Sequence, residues 1–260
     1  MHQFKTEMQT LFYEESGTLG ADVQLVWGHG WGQSHRALLP LAESLPLYHH
    51  YVLDFPGFGA SPRPIENWST AEYAAYVAAF LESLPPAKLR IWVGHSFGCR
   101  VGVRLGAKYP ALLNGLVLVA GAGLRRKLTF LRQCSLKVKV YNYKLFKQLC
   151  RMGLVKRTWL EGKFGSADYR NAGDLRPIFL NVIKEDLAAE AKNIQAPTLL
   201  IYGENDLETP PSMGKEYATH IRHAEYHELA GQDHYTLIGA GRHQTVFLLN
   251  QFIKNMQKRG

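Results

Sequence analysis

The sequence has little cysteine: Cys99, Cys134 and Cys150 are the only three among 260 residues. An odd number without framework spacing excludes a disulfide-stapled scaffold and fits a reducing compartment. No apolar run approaches the ~18 residues needed to span a bilayer. The opening MHQFKTEMQT has no apolar stretch of the kind a secretory leader needs, so a cytoplasmic location is expected. Repeats and low-complexity tracts are absent. The most local absence is of acid: residues 125–157 contain no Asp or Glu.

That same stretch, RRKLTFLRQCSLKVKVYNYKLFKQLCRMGLVKR, holds eleven Lys or Arg, in a chain whose net charge is +8. Outside it, 19 basic residues face 22 acidic ones, so the rest is an ordinary, slightly acidic body. With 46% hydrophobic and 20% charged residues, the chain can bury a large core. One domain with an insertion and two domains are both open on length alone.

Apolar runs of strand length recur at residues 23–28, 50–55, 89–94, 115–123, 197–203 and 224–231. Between them lie helical patterns. Residues 69–84 start with an N-cap Ser69, continue with Ala-rich helical spacing and stop at Pro85-Pro86. Near-continuous apolar strands alternating with helices predict a parallel sheet covered on both faces. The alternation breaks once, from about residue 124 to 195, and the basic stretch lies inside that break. An inserted segment is expected there. Within it, Leu145, Leu149 and Met152 share one helical face and Lys144, Lys147 and Arg151 another, which predicts an amphipathic helix with a basic side. Just before it, SLKVKVYNYK alternates with period two and leaves helix and strand both open.

The strand at 89–94 runs into Gly94-His95-Ser96-Phe97-Gly98, and a helix-like segment follows. This is the G-x-S-x-G pattern in its strand–turn–helix context, where a sharp turn pushes the serine hydroxyl out at the sheet edge. A serine needs a base, and in this architecture the order is Ser, acid, His. His234, in AGQDHYT after the last strand, is the expected base. Asp206, in IYGENDLETP, is the expected acid, with Glu204 and Glu208 as rivals close in sequence. Asp233 abuts His234 and is read as structural. HIRHAEYH places His220, His223 and His227 at a metal-like spacing, but across a helix end and a strand, so no metal site is expected. Acyl transfer also needs donors for the oxyanion. The backbone N–H of Phe97 and that of Trp31, in the loop GHGWG, are the candidates.

Taken in order, HGWG, DFPGFGAS, GHSFG, GENDLETP and GQDH resemble the α/β-hydrolase superfamily over residues 20–123 and 195–260. The resemblance implies the α/β-hydrolase fold: an eight-stranded, mostly parallel sheet flanked by helices, with a helical lid inserted after strand six. Residues 1–123 and 195–260 would be the core and 124–194 the basic lid. It implies Ser96, Asp206 and His234 as a triad, no cofactor, and structural roles for Asp54 and Gly57. Members that use an Asp nucleophile are excluded by Ser96. Cys99 departs from the second glycine that many members carry after the elbow. A serine carboxylesterase is the expected activity. The alternatives are a lipid- or membrane-active esterase, a carbon–carbon bond hydrolase, and a non-catalytic binding protein on the same fold.

The lid of this family covers the active-site mouth, so Arg125, Arg126, Lys144, Lys147 and Arg151 are expected where substrate arrives. The positive segment has four readings. It docks an acidic carrier protein, as in the pimeloyl-acyl-carrier-protein methyl ester esterases of biotin synthesis, whose HGWG and PGFG-x-S segments are similar. It touches an anionic lipid surface. It binds a small anionic substrate, for which eleven charges are excessive. Or it is a solvated face without a partner. Nucleic acid is not expected, because the segment has no recognition motif.

Overall fold

A computed structural model describes residues 1–7, 9–125, 141–142, 146, 148–150, 152 and 167–258. Eight strands form one sheet: β1 His2–Lys5, β2 Thr10–Gly17, β3 Val23–Gly28, β4 His49–Asp54, β5 Leu89–His95, β6 Gly115–Val119, β7 Thr198–Gly203 and β8 Ala224–Leu229. Their order is β1-β2-β4-β3-β5-β6-β7-β8. β1 and β2 are antiparallel to their neighbours, and every other pairing is parallel. The helices used below are α1 Leu39–Glu43, α2 Thr70–Ser83, α3 Phe97–Lys108, α4 Ala167–Asn171, α5 Arg176–Val182, α6 Ala188–Ala191, α7 Pro211–His220 and α8 Arg242–Gln257.

The period-two rule of a strand sorts the central residues into two cores. Leu25, Trp27, Ile91, Val93, Val117, Val119, Leu199 and Ile201 point to one face, where Leu41 of α1 and Leu249 and Phe252 of α8 cover them. Val26 and Trp92 point to the other, against α2 and α3. Leu116, Leu118, Leu200 and Tyr202 share that second face with Val103, Met213 and Tyr217. The parallel register keeps like faces together: Leu25 pairs with Ile91, Val93 with Val117, and Val117 with Leu199. Burial on both faces is why these strands read as continuous apolar runs.

α2 starts where the sequence places it. Ser69 accepts from the Ala71 N–H, and Glu72 Oε2 accepts from the Ser69 N–H at 2.6 Å, closing a capping box. Two strands were not legible. β1 is short and exposed, and β2 carries Glu14 and Glu15 among its apolar residues. Two strands are shorter than their apolar runs: β6 ends at Val119, where Ala120 turns with φ +50°, and β8 ends at Leu229.

The break after β6 contains α4, α5 and α6. Arg126, Lys144, Lys147 and Arg151, with Leu145, Cys134 and the alternating run at 135–140, lie outside the described residues. Arg125 is described and exposed, with Nε 3.9 Å from Asp186 Oδ2. Such a surface pair contributes at most about 1 kcal/mol. Among the described residues no helix is long and apolar enough to cross a membrane.

Candidate active site

The turn between β5 and α3 is tightly constrained. Ser96 sits at φ +49°, ψ −104°, a conformation rare for a residue with a Cβ. Two glycines make the turn possible. A Cβ at position 94 would lie 2.6 Å from the Gly98 carbonyl carbon, and one at 98 would lie 2.0 Å from the Gly28 oxygen. Cys99 fits beyond them because it is small and fully buried, with Sγ 3.1 Å from Gly94 O. Burial pushes its thiol pKa well up, so it is an inert packing residue.

The loop after β3 comes to the same place. Gly98 N–H donates to His29 O at 3.0 Å, tying the two segments together. His29 Nδ1 donates to Gly30 O at 2.7 Å, and its Nε2 accepts from the Phe55 N–H at 3.1 Å. Desolvation lowers its pKa to about 4, and the neutral ring staples the β3 loop to the β4 loop. The β4 loop is held in turn by buried Asp54. Its Oδ1 accepts from the His35 N–H at 2.6 Å, and its Oδ2 from the Ala60 N–H at 2.9 Å. Gly59 must be glycine, since a Cβ there would lie 2.1 Å from Asp54 Oδ2. Phe97 is the first residue of α3, so its N–H has no partner within the helix. Among the described residues neither this N–H nor that of Trp31 has an acceptor. The Trp31 ring packs between Phe58, Phe97 and Phe179, at centroid distances of 4.9, 5.6 and 5.1 Å.

His234 follows β8 and is buried. Its Nδ1 donates to Asp206 Oδ2 at 2.8 Å. Asp206, also buried, is saturated: Oδ1 accepts from the N–H groups of Glu208 and Thr209, each at 2.8 Å, and Oδ2 also from Thr209 Oγ1 at 2.8 Å. Burial would raise its pKa, but the His234 and Thr209 hydrogen bonds outweigh it, and the carboxyl titrates below its ordinary value. The two rivals go elsewhere. Glu204 accepts from the Gly231 N–H at 2.9 Å. Glu208 lies on the opposite side of the imidazole, with Oε2 3.5 Å from Nε2. Asp233 caps a turn, accepting from the N–H groups of Tyr235 and Thr236 at 2.9 and 2.8 Å.

Ser96, Trp31 and Phe97 line one cleft of about 380 Å3, with Arg100, Asp168, Phe179, Glu208 and Tyr235 among its other walls. Several working residues were not singled out from sequence. His95 Nε2 donates to His234 O at 3.0 Å and fixes the His234 loop to the elbow. Desolvation, aided by the neighbouring His234, lowers its pKa to about 3. Thr209 bridges Asp206 and the Ala120 carbonyl. Arg100 had a sequence signal, a position one helical turn after Ser96. Phe179 and Asp168 had none, because they arrive from the inserted region.

The chain matches the alpha/beta hydrolase family over residues 25–246. It is 27% identical to a pimeloyl-acyl-carrier-protein methyl ester esterase of Chromobacterium violaceum over 232 residues, 84% of this chain and 89% of that one. It is 34% identical to a protein of the same name from Shewanella sp. (strain MR-7) over 105 residues, 40% of this chain. That match spans 37% of the Shewanella protein's length. Among solved structures, the enol-lactonase from Burkholderia xenovorans LB400 superposes with a TM-score of 0.71 at 20% identity, covering 95% of this chain and 97% of that one. A likeness at that identity speaks for the fold alone.

Proposed function

This chain belongs to the α/β hydrolase family and is a hydrolase, and from that premise we propose that it is a serine carboxylesterase. One arrangement carries the reading. Ser96 stands on a strained turn in a cleft that Trp31 and Phe97 also line, their backbone N–H groups without acceptors among the described residues, and His234, in the loop after β8, is oriented by Asp206. Asp206 holds Nδ1–H, which leaves Nε2 as the basic nitrogen. Ser96 Oγ attacks the ester carbonyl while its proton passes to Nε2. The oxyanion is held by the Trp31 and Phe97 N–H groups, each contributing about 3 kcal/mol. His234 then returns the proton to the leaving alcohol, and water activated by the same nitrogen releases the acid. The first test is labelling with a generic fluorophosphonate, read by intact mass. One adduct on the wild type and none on Ser96→Ala is expected. An unlabelled wild type would sink the esterase reading in favour of a binding protein on this fold.

The finer reading is an acyl ester carried on acyl carrier protein, with residues 124–194 as a lid and its basic stretch as the docking surface. The name of the C. violaceum relative and the acid-free run of eleven positive residues support it. A methyl ester on acyl carrier protein should be cleaved faster than its carrier-free counterpart at low salt, and the advantage should fade at high salt. Charge reversal at Lys144, Lys147 and Arg151 should abolish the advantage. An equal loss on both substrates would refute docking.

A further inference from the structure

Ser96 and Arg100 stand four residues apart at the start of α3, so they lie on one side of the helix, about 6 Å apart along it. Both line the same cleft. The guanidinium has five N–H donors. Among the described residues one of them is used, Nη1 donating to Val182 O at 3.0 Å. Desolvation lowers the pKa of Arg100, although the residue as a whole is only half-buried. The two observations agree if the charged head is enclosed by protein on most sides and open on the side of the cleft.

A cation held this way normally has a carboxylate against it, because an unpaired charge away from water is costly. Among the described residues none lies within ion-pair distance of Arg100. The nearest acids, Glu185 and Asp186, act on Arg100 through their charge without a direct ion pair, and each is bound to other partners. Glu185 accepts from the Thr70 N–H at 2.9 Å and from the Thr70 hydroxyl, and it lies 4.0 Å from Arg104. Asp186 accepts from the Ala188 N–H and faces Arg125. The cleft's own acids, Asp168 and Glu208, are not among the charges that act on Arg100. They act on each other, on His234 and on Tyr235. The cleft therefore carries a cation, Arg100, without a direct carboxylate partner among the described residues, and two acids that face His234 and Tyr235.

We infer that Arg100 is a specificity residue forming an anion subsite, and that among carrier-free esters the preferred substrate is the monoester of a short dicarboxylic acid. The free carboxylate takes the guanidinium donors left open to the cleft. The ester carbonyl then lies at Ser96, a few carbons away. Asp168 and Glu208 repel a carboxylate placed beside them, so the charge pattern orients the substrate as well as selecting it. The inference rests on the serine-esterase reading, and it needs neither carrier protein nor the basic stretch.

The test compares monomethyl glutarate and monomethyl adipate with the neutral methyl pentanoate and methyl hexanoate. In the wild type the charged esters should lead in kcat/KM by tenfold or more, chiefly through KM. Arg100→Gln should bring that ratio to about one, and Arg100→Lys should keep part of it. A wild-type ratio near one, or a ratio that survives Arg100→Gln, would overturn the inference. Glutarate binding, read by calorimetry against neutral glutaramide, is a second measurement that needs no turnover. If Arg100→Gln fails to fold, a wild type that binds both compounds equally refutes the subsite, and one that prefers glutarate upholds it. Glutarate binding without cleavage of any ester would leave the subsite standing while the esterase reading fell. Cleavage without discrimination by charge would do the reverse.

Discussion

Lowering the pH from 7 to 5 should remove much of this protein's stability, because three imidazoles are built in as neutral groups. Desolvation lowers His29 and His50 to about 4 and His95 to about 3. Their hydrogen bonds say the same. Each ring donates from one nitrogen to a carbonyl: His29 to Gly30, His50 to Leu45 and His95 to His234. In His29 and His50 the other nitrogen accepts, from the Phe55 N–H and from Trp27 Nε1–H. A second proton would break those bonds. In the unfolded chain a histidine titrates near 6.5. Below that pH the unfolded state binds protons that the native state refuses, so stability falls as pH falls. The loss continues until the native pKa values are reached, near 4 and below. At pH 5 each ring costs about 2 kcal/mol, and the three together cost about 6 kcal/mol. That rivals a typical domain stability of about 5–15 kcal/mol. Asp206 adds nothing in this window, since its pKa lies below its ordinary value.

The assay is urea unfolding at pH 7, 6 and 5, followed by tryptophan fluorescence. Below pH 6 the slope should approach about 4 kcal/mol per pH unit, which corresponds to three protons. His50→Gln should lower the absolute stability but also remove about one proton, or ~1.4 kcal/mol per pH unit, from the slope. A flat stability between pH 7 and 5 would refute the reasoning. So would an unchanged slope in His50→Gln, because a lost packing contact alone does not alter proton uptake.

Other expectations follow from the site. Asp206→Asn should cut ester turnover by about 10³–10⁴-fold, because an amide cannot hold His234 in the tautomer with Nδ1–H; steady-state kinetics on a neutral ester measures it. Glu208→Gln should change that turnover by no more than about fivefold, since the carboxylate is half exposed and it is Asp206 that holds Nδ1–H. If the two magnitudes came out reversed, the assignment of the acid would be wrong. Gly98→Ala should cost about 3 kcal/mol or more in chemical denaturation, because its Cβ would meet the Gly28 oxygen at 2.0 Å. A variant of wild-type stability would mean that the elbow is not as tight as its geometry.

By itself the sequence determined the central sheet and the place of the Ser96 turn within it. Parallel strands buried on both faces are largely apolar, so β3 to β7 were legible as runs, while the edge strand β8 is half-exposed and carries Glu225, His227 and Glu228; Ser69 with Glu72 marked the start of α2. The elbow at Ser96 was legible because only glycine fits the backbone approach at 94 and 98, a local demand that leaves a local trace. β1 and β2 escaped notice, since a peripheral antiparallel strand has no continuous apolar run to display. Only the tertiary structure decided which of three neighbouring carboxylates meets which nitrogen of His234. Asp206, Glu204 and Glu208 lie within five residues, and the turn after β7 sends them in three directions. It alone brought Phe179 and Asp168 to the wall of the Ser96 cleft, and it alone turned His29 and His95 into neutral staples. Such roles depend on what surrounds a side chain, and those neighbours come from distant parts of the chain.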